Sequence, residues 1–142
     1  ASNAGAEDLN FSYACELSKN ALYVVSGAGW EDTTGSNAGS MYIYIRNGSS
    51  WSQQAQLQCS DVTANHYFGR NVSINETGTL AMGISHVDNS NIGAGYLFQR
   101  NGTTWSEIYK FVGSVSSTND TIFNCCIETN LPLFLADEIS AI

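Results

Sequence analysis

The side chains of this 142-residue chain best equipped for chemistry are two histidines and four cysteines. His66 and His86 lie far apart in sequence, and neither has a cysteine or second histidine at the short spacings that hold a metal ion. Cys15 and Cys59 are isolated and Cys125 and Cys126 are adjacent, so the Cys-x-x-Cys spacing of zinc sites is absent. An even number of cysteines suits bridges in an oxidising compartment. A vicinal pair is strained as a disulfide, which makes Cys15 and Cys59 the candidate partners of Cys125 or Cys126, within or between chains. The chain has no Gly-x-Ser-x-Gly, His-Glu-x-x-His or phosphate-cradling glycine loop. Its carboxylates are scattered rather than paired for acid–base work. These residues predict no enzyme, no cofactor and no metal site.

A second chemistry is open to the asparagines. Asn-x-Ser/Thr sequons begin at Asn10, Asn47, Asn71, Asn75, Asn101 and Asn119. That is twice the roughly three that this composition gives by chance, so a secreted or cell-surface glycoprotein is expected. Asn47 and Asn101 are the strongest acceptors because they open Asn-Gly turns, followed by Asn75 and Asn119. Asn10 and Asn71 border or lie within a strand.

These groups must be positioned by short strands. Charged residues make up only 13% of the chain, against 43% hydrophobic, and the remainder is rich in Ser, Thr, Asn and Gly with a single proline, Pro132. Such a composition favours strands and tight turns over helices. The net charge of -8 disfavours nucleic acid as a partner, since phosphates are held by Lys and Arg. No run approaches the ~20 apolar residues of a membrane helix. A start at Ala1 rather than Met suits a processed or excerpted chain.

One tract is copied. Gly39-Ser-Met-Tyr-Ile-Tyr-Ile-Arg-Asn-Gly-Ser-Ser-Trp51-Ser52 recurs without a gap as Gly93-Ala-Gly-Tyr-Leu-Phe-Gln-Arg-Asn-Gly-Thr-Thr-Trp105-Ser106, 54 residues downstream. Around it the unit reads as four strands, which in the second copy span 68–74, 79–84, 93–100 and 105–112. The last two are joined by Asn101-Gly102, residues that tolerate the positive φ of a hairpin turn. The first copy begins at Phe11 and a third at Phe123. Cys15 aligns with Val72 and Ile127, apolar strand positions, so its thiol is expected to be buried. The third strand is apolar on both faces, as a strand sandwiched between sheets should be, and the polar fourth strand suits an outer edge. The recurring aromatics read as packing between sheets. Trp30, in the long loop of one copy only, escapes that argument and is the best candidate for a ligand contact.

Phe68-Gly69, Leu80-Ala-Met-Gly83, Gly93-Ala-Gly-Tyr-Leu-Phe98 and the Asn-Gly-x-x-Trp turn together resemble the FG-GAP repeat, which is found in the propeller of integrin α subunits and in bacterial surface proteins. The pattern departs at Phe11-Ser12 and Phe123-Asn124, and the GAP element of the first copy is Gly27-Ala28-Gly29. The resemblance implies an all-β fold of four-stranded antiparallel propeller-type blades and opens the possibility of Ca²⁺. The Asp-x-Asp-x-Asp-Gly loop that would hold Ca²⁺ is absent; the nearest tracts are Asp88-Asn89-Ser90-Asn91 and Glu31-Asp32.

The chain then reads as a single repeat domain: the end of a preceding blade (1–10), repeat 1 (11–67), repeat 2 (68–122) and a partial repeat 3 (123–142). Two and a half blades cannot close a ring. Further repeats of the same protein, or other copies of the chain joined in a ring or filament, must cover the open ends. The expected function is a non-enzymatic extracellular structural or adhesive module that self-associates and carries N-glycans. A carbohydrate-binding, lectin-like propeller and an accessory domain of a larger surface protein are the alternatives.

Overall fold

A computed structural model describes residues 14–87, 92–112 and 127. The segments assigned to a preceding blade and, Ile127 apart, to the partial third repeat lie outside these residues. The described chain is all-β: β1 (Cys15–Leu17), β2 (Tyr23–Ala28), β3 (Ser40–Asn47), β4 (Ser50–Leu57), β5 (Asn71–Ile74), β6 (Leu80–Ser85), β7 (Ala94–Asn101) and β8 (Thr104–Val112). They form two four-stranded antiparallel meanders, β1-β2-β3-β4 and β5-β6-β7-β8. The strands expected of the first two copies are present, and the polar fourth strand is an edge in each sheet.

The two sheets are built to one plan. Gln54 is an extra residue between the pairs Tyr44–Gln53 and Ile43–Ala55, and Ile108 fills the same bulge between Phe98–Glu107 and Leu97–Tyr109. The first turn of each sheet is closed by a buried polar side chain. Ser18 Oγ accepts from the Tyr23 amide, and Asn75 Oδ1 accepts from the amides of Thr79 and Leu80. Asn47 pairs with Ser50 and Asn101 with Thr104, so each hairpin tip consists of Gly-Ser or Gly-Thr and the asparagine ends the strand. Positive φ is needed at Gly48 and Gly102 alone, both at 62°. Glycine at the first of two central positions is the type II′ arrangement. The recurring arginine explains itself here: Arg46 Nε donates to the Gly48 carbonyl at 2.9 Å and Arg100 Nη1 to that of Gly102 at 2.8 Å.

The core lies between the sheets. Tyr23, Val25, Met41, Ile43 and Leu57 of the first meet Val72, Ile74, Ala81, Ala94, Tyr96 and Phe98 of the second, with Phe68 and Cys59 enclosed among them. Strand alternation then gives β3 and β7 two distinct faces. Met41 and Ile43 look forward to the next sheet, whereas Tyr96 and Phe98, at the positions of Tyr42 and Tyr44, look back at the previous one. The sheets approach along β1, β2 and β5 and touch little at β4 and β8, the splay of neighbouring propeller blades.

Candidate functional site

The junction between the sheets is made by backbone as much as by side chains. After β4 the chain crosses to the second sheet, and Phe68 enters the gap fully buried. Its ring lies edge-on to Tyr96 at 5.6 Å and against Phe98 at 6.1 Å, over the bare face of Gly83. Gly39 forms a parallel bridge with Phe68. A Cβ on Gly39 would stand 2.2 Å from the Phe68 carbonyl oxygen, one on Gly69 2.3 Å from that of Ser40, and one on Gly27 1.8 Å from that of Gly69. Three glycines thus let two sheets meet through main chain, a distance no side chain permits.

A rim of polar contacts borders this wedge. Glu16 accepts from the Ile74 amide at 2.8 Å, Lys19 pairs with Glu76 at 2.5 Å, and Glu107 accepts from the Ser60 amide and hydroxyl. The Trp105 indole donates to Gln54 at 2.9 Å, and the Arg100 guanidinium lies 4.6 Å over the Tyr23 ring. At Ser73, the position of Glu16 in the second sheet, the hydroxyl accepts from the Ile127 amide at 3.0 Å. This bond sets Ile127 against Ser73 as Ile74 is set against Glu16, so Ile127 corresponds to Ile74 rather than to Val72.

Among the described residues, the same plan leaves part of a half-junction open on the first sheet, although Tyr42 and Ser26 on that face are 3% and 4% exposed. By ladder register Cys15 and Leu17 occupy the positions of Val72 and Ile74. Val72 and Ile74 are 6% and 3% exposed against the first sheet, but Leu17 is 52% exposed and Cys15 is exposed too. The buried thiol expected at Cys15 is corrected on this ground: the residue type fits an interior, and no sheet among the described residues lies over it. Trp51, at the position of Trp105, is likewise 43% exposed. Ser26 Oγ and Tyr44 Oη on this face are enclosed and have no hydrogen-bond partner among the described residues. Burial pushes the Tyr44 phenol above its ordinary pKa.

Asn47 and Asn101 are exposed at the hairpin tips, as a glycan acceptor must be, and Asn71 is half-buried in β5. Asn75 is fully buried and its amide nitrogen donates to Thr79 Oγ1, so its place in the acceptor set is withdrawn. Asn10, Asn119, Cys125, Cys126 and the Asp88–Asn91 tract lie outside the described residues. Cys15 is exposed and Cys59 is buried beyond the end of β4. Trp30 is not an open platform. Arg70 lies 4.9 Å over its ring and Tyr67 meets it edge-on at 5.9 Å. Glu31 is buried as the acceptor of Ser40 Oγ at 2.6 Å and of both Thr33 donors, within a network that Gln56 extends. Asp32 is exposed and accepts from the Asn37 amide. These two carboxylates order the β2–β3 loop instead of converging on an ion.

The histidines separate. His86 follows β6, where burial and the nearby Arg70 charge lower its pKa. His66 is brought to Cys59 and Asp61 by the β4–β5 loop, with one ligating atom of each within 4.8 Å of the others. Sequence spacing gave no sign of this, because the loop is closed by bonds to another loop: Asn65 N–H to the Ser36 carbonyl and Tyr67 N–H to that of Asn37.

Residues 51–98, from the recurring tryptophan of one copy to β7 of the next, match the family model of the FG-GAP repeat. The tract is an FG-GAP repeat. It spans the junction itself, with Phe68-Gly69 as the wedge. Gly27, of the GAP-like Gly27-Ala28-Gly29, and Gly39, which receive it, lie upstream of the match. No curated protein matches the chain.

Proposed function

We propose that this FG-GAP repeat chain is a non-enzymatic, extracellular structural module that acts by adding blades to a larger assembly of its own kind. The supporting observation is the half-junction on the first sheet. Cys15, Leu17 and Trp51 present the face that Val72, Ile74 and Trp105 bury against a neighbour. A further blade of the same build, supplied by another copy of the chain, fits that face best, because its equivalent one sheet later receives such a blade. Head-to-tail association then continues to a ring or a filament. FG-GAP repeats are typically extracellular, and glycans at Asn47 and Asn101 would project from the outer rim, clear of the junction.

Electron microscopy of native particles, with light scattering, tests this reading. Rings or filaments are expected, and Leu17→Asp should disperse them while leaving the sheets folded by circular dichroism. Monomers of the native chain at high concentration would overturn self-association. An unchanged mass after deglycosylation would overturn the glycans. The lectin-like alternative rests on Trp30, whose ring is engaged by Arg70 and Tyr67, and on Asx-rich loops of which Asp88–Asn91 lies outside the described residues.

A further inference from the structure

We propose that Cys59, Asp61 and His66 form a binding site for a zinc-type transition-metal ion at the junction of the two sheets. Their sulfur, oxygen and nitrogen donors lie within 4.8 Å of one another. A tetrahedral ion with bonds of about 2.0–2.3 Å holds its ligands roughly 3.3–3.8 Å apart, so a contraction of order 1 Å brings these three donors to ligand spacing, with a water as the fourth ligand. Sulfur with imidazole and a single carboxylate selects zinc-type ions over calcium or magnesium, which require oxygen shells.

The backbone holds these groups before any ion arrives. The Val62 amide donates to the Cys59 carbonyl at 3.2 Å, turning the chain so that Asp61 faces back. His66 sits between two left-handed residues, Asn65 (φ 64°) and Tyr67 (φ 54°), and its carbonyl accepts from Ser85 Oγ at 2.5 Å. Left-handed backbone at a tyrosine is strained and persists only where the surroundings impose it. Asp61 is aimed from the opposite sheet: Oδ1 accepts from the fully buried Tyr96 hydroxyl at 2.8 Å and Oδ2 from Lys110 Nζ at 2.6 Å. Such outer partners orient a ligating carboxylate. A nucleophilic role for the thiol is disfavoured, since Cys59 is 2% exposed and a substrate could not reach it. On binding, the Cys59 S–H bond is exchanged for a sulfur–metal bond, the proton passes to solvent, and no electron is transferred. The ion would clasp the end of the first sheet to β7 and β8, independently of how copies associate.

Titration of the reduced full chain with Co²⁺, followed by Zn²⁺ displacement, tests the assignment. Expected are one tightly bound equivalent with a thiolate-to-cobalt charge-transfer band, loss of that band in Cys59→Ser, and affinity weakened at least about tenfold in His66→Ala and Asp61→Asn. His86→Gln should bind as the native chain does. Zn²⁺ should raise the melting temperature of the native chain more than that of Asp61→Asn at equal concentration, a near-isosteric change that keeps a readout if Cys59→Ser fails to fold. Absence of a thiolate band in the native chain, its survival in Cys59→Ser, or unchanged affinity in Asp61→Asn would each overturn the site.

Discussion

His86 shows how a single side chain sets a pH limit on the fold. It is half-buried after β6, and desolvation, helped by the Arg70 charge, holds its folded-state pKa below the ordinary value of 6.5. Protons then bind the unfolded chain more readily than the folded one. The stability linked to His86 is complete above its unfolded pKa and is lost as pH falls through the folded value. Urea midpoints measured from about pH 7 down to about pH 5.5 should fall for the native chain and fall less for His86→Gln. A matching slope in both proteins would assign the effect to carboxylates. Asn75 makes the complementary point. A sequon marks it for glycosylation, but its amide is consumed in closing the β5–β6 turn, the task that Ser18 performs in the first sheet.

At the scale of elements, glycines of one composition do unequal work. Gly48 has φ 62° and open space around its Cα, so Gly48→Ala should cost only the left-handed backbone penalty of about 1–2 kcal/mol. Gly27 has ordinary strand backbone, but an added Cβ meets the carbonyl oxygen of Gly69 at 1.8 Å, and a main-chain atom cannot swing aside. Gly27→Ala should cost about 3 kcal/mol or more, or prevent folding, as read by urea denaturation. The strands themselves were legible because the copied tract carries its own hairpin chemistry, and Phe68-Gly69 was legible as a motif. What Phe68-Gly69 touches was not, since Gly27 and Gly39 meet it only after the chain has turned back through two hairpins. The convergence of Cys59, Asp61 and His66 was hidden for the same reason: main-chain bonds from Ser36 and Asn37 shape that loop, and such bonds leave no trace in residue type. The exposure of Cys15 was missed because alignment reports which position a residue fills and not whether a neighbour lies over it.

Across the whole molecule, stability is shared at the interface. Neither sheet can bury its apolar face alone, and Phe68 is buried in the shared core that includes Met41 of the first sheet, against Gly83, Tyr96 and Phe98 of the second. Phe68→Ala should therefore destabilise the chain by about 3–5 kcal/mol, with amides of β3 and β6 losing hydrogen-exchange protection together. Protection retained in β3 while β6 opens would mean that the sheets are independent. In the proposed assembly, the same coupling would make the first sheet a point of growth, each added blade stabilising the one before it. The hairpin tips stand apart from this economy of faces. A Cβ at either Gly48 or Gly102 would find nothing within 4 Å, and the two tips recur in the same register on adjacent sheets. They are natural insertion points for peptide epitopes or affinity tags, and a polymer of the chain would carry such cargo as an evenly pitched array.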